Sequence, residues 1–237
     1  MQPITENIYG VPGLSVGRIY IITGKDGLTL VDTSLSAKTA DKLEQQLKTM
    51  GFGLGDIKNI LITHAHPDHI GGLAELQRRT NARTATHRRD APVVRGEMPP
   101  PRPTPGQVTG LGWKLMAALP LNPPTIPARV DLELKGGDRL DYILPGLEVI
   151  ELHGHSPGQV GYWWPEKRLL IGGDVLMHMP WGITLPMPGV TPDMTEAKRS
   201  IRKVADMDVS ILCFGHGAPF QGDAAARIRA FAARMKP

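Results

Sequence analysis

Three histidines and an aspartate crowd into six residues, His64-Ala65-His66-Pro67-Asp68-His69, in a chain with only 8 histidines among 237 residues. At that frequency, three histidines at these offsets would arise by chance somewhere in the chain in roughly 1% of sequences. Imidazole and carboxylate at this density suit a transition metal: zinc, and equally iron, manganese or cobalt. Three further polar residues each stand just past an apolar run: His155 after Leu152, Asp174 after Leu169-Leu170-Ile171-Gly172-Gly173, and His216 after Ile211-Leu212-Cys213-Phe214-Gly215. A metal held by such a set ionises water and polarises a carbonyl or phosphoryl oxygen, so hydrolysis needs no protein nucleophile. A competing chemistry is written in Gly154-His155-Ser156-Pro157-Gly158, a Gly-x-Ser-x-Gly pattern followed by Asp174 and His216 in hydrolase order. Two features oppose it. Pro157 has no N–H for an oxyanion hole, and Gln159 to Trp164 reads as a strand where that motif requires a helix.

The elements that must carry these residues follow from periodicity. Short β-rich runs come first, at Asn7 to Val11, Val16 to Thr23 and Gly27 to Asp32, with Gly24 to Gly27 supplying a hairpin turn. Ala37, Ala40, Leu43, Leu47 and Met50 recur at helical spacing and Gly51 stops them. The apolar run Ile57 to Thr63 predicts a buried strand, ending where Pro67 forbids a helix from running through and where His69 to Thr80 begins one. His64 and His66, two apart on extended chain, then share a face. A β run at Ala82 to Thr86 follows, and after an interruption come strands at Val130 to Leu134, Asp138 to Ile143, Leu147 to Leu152, Gln159 to Trp164, Arg168 to Gly172 and Val209 to Phe214. Helices are expected at Val108 to Leu119, at Asp193 to Met207 with Asp193 and Glu196 in capping-box spacing, and at Gly222 to Met235. Strands from both halves flanked by helices imply a layered α/β sandwich with its polar residues at strand ends, where open α/β folds place their sites.

Composition narrows the class. No apolar run approaches the roughly 18 residues of a membrane span. The net charge of +4 is scattered, with its densest clusters at Arg78-Arg79, Arg88-Arg89 and Arg227 to Lys236, so no nucleic-acid partner is expected. Cys213 is the single cysteine, and the polar start, Met1 to Tyr9, does not read as a signal peptide; a cytoplasmic protein is the expectation. Glycine (27) and proline (22) are in excess, and ten prolines fall between Pro92 and Pro127, which predicts a proline-rich insertion at about 91–129 acting as a lid or an interface. The candidate ligands span His64 to His216, so one domain over 1–237 is expected.

Four motifs in this order, the histidine cluster, His155 in His-Ser-Pro-Gly, Asp174 in Gly-Gly-Asp and His216 in Gly-His-Gly, resemble the signature of the metallo-β-lactamase superfamily. The resemblance runs from Leu30-Val31-Asp32-Thr33 to His216. It implies a four-layer αββα fold with two stacked mixed sheets flanked by helices. It further implies two divalent metal ions, zinc foremost, with His64, His66 and His155 on one, Asp68, His69 and His216 on the other, and Asp174 bridging them. Between such ions a bridging hydroxide would attack the substrate, with Asp68 holding it and shuttling its proton, while Asp32 orients ligands from behind.

Departures from subfamily patterns bear on the substrate. Asp174 stands where dedicated β-lactamases usually carry cysteine or lack the bridging carboxylate. The chain ends some twenty residues after His216, short for the helical domain of glyoxalase II, and Met177 replaces a tyrosine usual in acyl-homoserine lactonases. The Gly-Cys-Gly-Arg stretch of persulfide dioxygenases is absent, and no basic exosite for RNA is found. The reading is a hydrolase of a small ester, lactone or thioester with an apolar portion, the alternatives being a persulfide-dioxygenase-like or other non-hydrolytic metal module and, more weakly, a β-lactamase or phosphodiesterase. Met177, His178, Met179 and Trp181 after Asp174, with Trp113 and Met116 from the insertion, are the candidate pocket, although such residues equally suit packing in a homodimer. His153, two before His155, is expected to support the ligands from behind; His87 is expected to be solvated, and Cys213 to be a small buried hydrophobe.

Overall fold

The structure, a computed structural model, describes residues 1–14, 16–118 and 125–235. The first sheet holds each strand beside its sequence neighbour: β1 (Gln2–Pro3), β2 (Ile8–Gly10), β3 (Tyr20–Gly24), β4 (Gly27–Val31), β5 (Ile57–Leu61), β6 (Arg83–His87) and β7 (Leu132–Leu134). It is antiparallel through β4 and parallel from there to β7. In the second sheet β8 (Glu148–Glu151), β9 (Val160–Trp164) and β10 (Leu169–Ile171) form an antiparallel meander. The hairpin β11 (Met177–Met179) and β12 (Gly182–Thr184) stands apart, and β13 (Ile211–Cys213) adds parallel to β10. The helices are α1 (Thr39–Lys48), α2 (Pro67–Ile70), α3 (Leu73–Thr80), α4 (Ala91–Val94), α5 (Leu111–Ala118), α6 (Met194–Asp206) and α7 (Ala224–Arg234).

Strand alternation sorts the apolar residues into three cores. Ile21, Leu30 and Ile60 face Leu43 and Leu47 of α1 and Leu73 and Leu76 of α3. Their strand neighbours Tyr20, Ile22, Val31 and Leu61 meet Val149, Val160, Tyr162, Leu169 and Ile171 of the second sheet. On the far side Leu170 and Leu212 pack on Ile201 and Val204 of α6 and Ile228 of α7. Helices, sheet, sheet, helices: the chain has the four-layer αββα arrangement. Each fully buried Ile or Leu contributes about 1.5–3 kcal/mol to holding the layers together. Among the described residues no helix is long and apolar enough to cross a membrane.

Four expectations are revised. The helix over His69 to Thr80 breaks into α2 and α3 at Gly71-Gly72, because the backbone there lies against the Leu35 and Thr33 carbonyls, where any Cβ would collide. The strand over Asp138 to Ile143 is a single bridge, Arg139 to Glu148; the chain turns instead, with Ile143 N–H on Leu140 O at 2.9 Å, and so buries Leu140, Ile143 and Leu144. The β11–β12 hairpin has no counterpart among the expected elements. The insertion starts later than residue 91, since Ala91, Val93 and Val94 of α4 are buried, and it has returned by Ala128, whose N–H donates to Val94 O at 3.0 Å. Its helix is Leu111–Ala118; Leu119, Pro120, Pro123 and Pro124, like Lys236 of the C-terminal basic cluster, lie outside the described residues.

Candidate metal centre

The site is built outward from Asp32. One residue past β4, Asp32 adopts a left-handed backbone (φ 64°) while its N–H donates to Leu61 O at 2.8 Å, which ties the ends of β4 and β5 together. Its carboxylate accepts from Thr63 N–H, from the Thr63 hydroxyl and from His69 Nδ1, each at 2.8 Å. Because the Thr63 proton is committed to Asp32, Thr63 Oγ1 must accept from His64 Nδ1, 3.1 Å away. His64 therefore turns an unprotonated Nε2 toward the centre, and His69, held by Asp32 through Nδ1, turns its Nε2 to the same place. The same logic holds for His155: Thr191 donates its hydroxyl proton to Met187 O at 2.8 Å, so His155 Nδ1–H donates to Thr191 at 2.9 Å and Nε2 faces inward. Ligating imidazoles are oriented by just such partners on the opposite ring nitrogen.

Asp90 is a second organiser. Buried after β6, it accepts from Ala65 N–H (2.9 Å), Gly158 N–H (2.7 Å) and the Ser156 hydroxyl (2.7 Å), so one carboxylate joins the His64–His66 loop to the loop carrying His155. No spacing in the sequence singles out Asp90 or Thr191; Arg88-Arg89-Asp90 resembles any solvated turn. Ser156, whose hydroxyl is buried and engaged by Asp90, is not free to serve as the nucleophile of the Gly-x-Ser-x-Gly reading.

The seven motif residues converge. His64, His66 and His155 offer three nitrogens within 4.8 Å of one another, as do the ligand atoms of Asp68, His69 and His216, and those of His64, His69 and Asp174. Asp174 lies between the first two groups, with Oδ2 3.4 Å from His155 Nε2 and 3.3 Å from His216 Nε2, and Oδ1 3.5 Å from His69 Nε2. Gly215 lets it sit there, because a Cβ at that position would strike the Asp174 carboxylate and the His69 ring. His64 Nε2, His69 Nε2 and Asp174 Oδ1 are buried without a hydrogen-bond partner among the described residues. Leaving such atoms unsatisfied costs about 1–3 kcal/mol apiece. Lone pairs and carboxylates aimed at one another fit divalent cations, and His64, His66, Asp68, His69, His155, Asp174 and His216 are the residues that could hold them.

The electrostatics agree. Burial and the neighbouring imidazoles keep His64 neutral, its pKa well below the ordinary value, and bring His66 to about 3. Burial also works against a charge on His69, but Asp32, Asp174 and Asp68 outweigh it and raise the ring to about 9. His216 is raised to about 11, chiefly by Asp174. Asp68 falls to about 2, since His69 and His216 overcome the cost of its burial. Without metal, protons on His69 and His216 supply the positive charge the carboxylates require.

Other predicted residues are placed elsewhere. His153 does not back the ligands: it joins His87 and Glu151 in a separate group. His87 is wholly buried rather than solvated. His178 Nδ1 donates to Ala218 O at 2.7 Å and its ring packs on Phe220, while its backbone N–H holds the His216 carbonyl at 3.0 Å. Met177 is buried and Trp181 is mostly exposed; the Met116 side chain lies outside the description. Trp113 lines a groove of about 630 Å³ with Ile183, Leu185, Pro188 and Phe231, none of them a candidate ligand. The space beside His216 is a polar pocket of about 210 Å³ walled by Val11, Gly13, Val16 and Arg18, because the strand expected over Val16 to Thr23 begins only at Tyr20 and leaves Val16 and Arg18 in a loop. Cys213 is buried, and burial pushes its thiol pKa up, as expected for an inert side chain.

Comparison with known proteins gives a consistent result. A profile of the metallo-beta-lactamase superfamily matches residues 12–216. A probable metallo-hydrolase, YflN of Bacillus subtilis (strain 168), is 27% identical over 236 residues, covering 92% of this chain and 87% of that protein. A hydroxyacylglutathione hydrolase of Rhodopseudomonas palustris (strain BisB18) is 31% identical over 185 residues, 77% of this chain and 56% of that protein. Among solved structures, a metallo-beta-lactamase family protein from Thermus thermophilus superposes with a TM-score of 0.74 at 23% identity, over 98% of this chain and 80% of that one.

Proposed function

The chain belongs to the metallo-beta-lactamase superfamily, and from that premise we propose that it is a dinuclear metal-dependent hydrolase of small carbonyl esters: esters, thioesters or lactones. The observation that carries the reading is the pair of ligand trios, His64/His66/His155 and Asp68/His69/His216, with Asp174 between them and buried lone pairs left without partners. Bound there, two divalent ions, zinc foremost and iron, manganese or cobalt as alternatives, would supply Lewis acidity toward the carbonyl oxygen and acidify water at neutral pH.

The protein's own contributions are positional and protonic. Asp32, Thr63 and Thr191 hold the ring tautomers that present Nε2 inward. Asp68, the more exposed of the two central carboxylates, is placed to orient the attacking water, accept its proton and pass it to the departing oxygen or sulfur as the acyl bond breaks. Arg18 lines the pocket beside His216, and its guanidinium has no side-chain partner among the described residues, which favours a substrate carrying an anionic group near the reacting carbonyl. The groove at Trp113 would take an apolar remainder. Similarity to a hydroxyacylglutathione hydrolase supports thioesters within this class. Further parts of the reading are a soluble cytoplasmic protein, folded as one domain, with no nucleic-acid partner and with the insertion as a dimer surface.

The test is a panel of lactones, thioesters, oxyesters, β-lactams and phosphodiesters assayed on zinc-, iron- and manganese-loaded protein. Turnover of an ester-type carbonyl that disappears on chelation and returns on reloading is expected. Turnover of phosphodiesters alone, or activity surviving complete metal removal, would sink the proposal.

A further inference from the structure

Away from the centre, His87, Glu151 and His153 form another group whose ligand atoms all lie within 4.8 Å of one another. His87 ends β6 and Glu151 ends β8, so the group sits where the second sheet's edge strand meets the first sheet next to its own edge. His87 Nε2 is 3.2 Å from Glu151 Oε1, and His153 Nε2 is 3.5 Å from Glu151 Oε2. His87 is wholly buried, the His153 side chain is 13% exposed, and neither ring nitrogen of His153 has a hydrogen-bond partner among the described residues. Two unpartnered imidazole nitrogens beside a carboxylate are more than packing requires.

We propose that His87, Glu151 and His153 form an additional transition-metal site, of the two-histidine, one-carboxylate class that zinc or cobalt accepts. The Glu151 side chain, 36% exposed, gives an entry path and room for water to complete the coordination. Its role is to fasten the two sheets. Three residues beyond His87, Asp90 ties down both ligand loops, and two residues beyond His153 stands His155 itself. A metal here would therefore anchor the strand ends from which the hydrolytic centre is hung. One contact opposes loading: Arg89 N–H donates to His87 Nδ1 at 3.2 Å. A metal on Nε2 leaves the ring proton on Nδ1, so the Arg89 amide must turn away, and its environment reports occupancy.

The site stands apart from the proposed hydrolytic reading and is tested apart from it. Zinc per chain is measured by mass spectrometry on the full-length protein and on Glu151→Gln and His153→Gln, with cobalt absorption titrations in parallel. Glu151→Gln is the milder change, because that side chain is partly exposed. Each variant is expected to bind one equivalent less than the unaltered protein while retaining chelator-sensitive hydrolysis. In the unaltered protein the Arg89 amide resonance should shift as the last equivalent binds, and in both variants it should stay still. Equal stoichiometry and equal cobalt spectra in all three proteins would overturn the inference, leaving the trio as a hydrogen-bonded patch in which His87 donates to Glu151. That result would leave the hydrolase reading untouched; conversely, unaltered protein that binds this equivalent but turns over no ester-type carbonyl would sink the hydrolase reading and leave this site standing.

Discussion

The two halves of the candidate metal centre differ in composition, and they hold charge differently. His64, His66 and His155 form a buried trio with no carboxylate of its own, and burial with mutual repulsion keeps His64 and His66 neutral. Asp68, His69 and His216 form a more exposed trio, in which the carboxylates hold protons on His69 and His216. A cation entering the first half finds His64 Nε2 free and must open the 2.9 Å hydrogen bond between His66 Nδ1 and His155 Nε2; one entering the second must displace the protons that the carboxylates hold on His69 and His216. Burial sets the first half and charge sets the second, so metal loading should be ordered and pH should divide the two.

The sharpest way to break this comparison is to remove the proton carrier of the second half. Asp68→Asn should lower kcat by about 10²–10⁴-fold, the range for a positioned general acid-base, while the first half keeps its metal. Equal loss of both metals would show that the halves are not separable.

Next comes pH. Two protons leave when the second half loads, so its apparent affinity should rise by up to about a hundredfold between pH 7 and 8, while the first half changes far less. Calorimetry across that range reads both. The metal-free protein should behave in the opposite sense. Because His69 and His216 are raised from 6.5 to about 9 and about 11, their contribution to stability is complete below about pH 6.5 and is lost as pH climbs through 9 to 11. Urea melts at pH 6.5 and 9.5 would show it, and greater stability at the higher pH would contradict the charge assignment.

Smaller effects come from the residues behind the rings. Asp32→Asn loosens His69 directly and His64 through Thr63, and should cost about 10–100-fold in metal affinity in both halves. Thr191→Val removes the hydroxyl behind His155, and a loss of about tenfold confined to the first half is expected, at the low end of the same range. If Thr191→Val weakens both halves equally, the first half has no support of its own. Arg18→Ala should leave metal content unchanged and raise KM only for substrates bearing an anion, which separates binding from chemistry in the polar pocket.

The two clusters of histidine also differ in how legible they were. His64, His66, Asp68 and His69 announce themselves because one short loop carries them and Pro67 punctuates it. The trio of His87, Glu151 and His153 announces nothing: His87 sits beside two arginines that read as solvent-facing, and its partners lie more than sixty residues away. Asp90 was invisible for the same reason. Most strands and the long helices α1, α6 and α7 were legible because one buried face repeats along each. The α2–α3 break was not, since it depends on how closely the Leu35 and Thr33 carbonyls approach Gly71 and Gly72.

By itself, the sequence determined the layered class, the chemistry of the seven candidate ligands and their order at strand ends, because period-two and period-3.6 patterns encode which face is buried and local spacing encodes a loop. Only the tertiary structure decided that one Asp90 carboxylate would serve the two loops that carry His64, His66 and His155, that the polar wall beside His216 would come from Val11, Gly13, Val16 and Arg18, and that the edges of two sheets would bring His87 to Glu151 and His153. Those meetings depend on how one sheet lies across the other, a relation set by packing of the whole core and written in no local pattern.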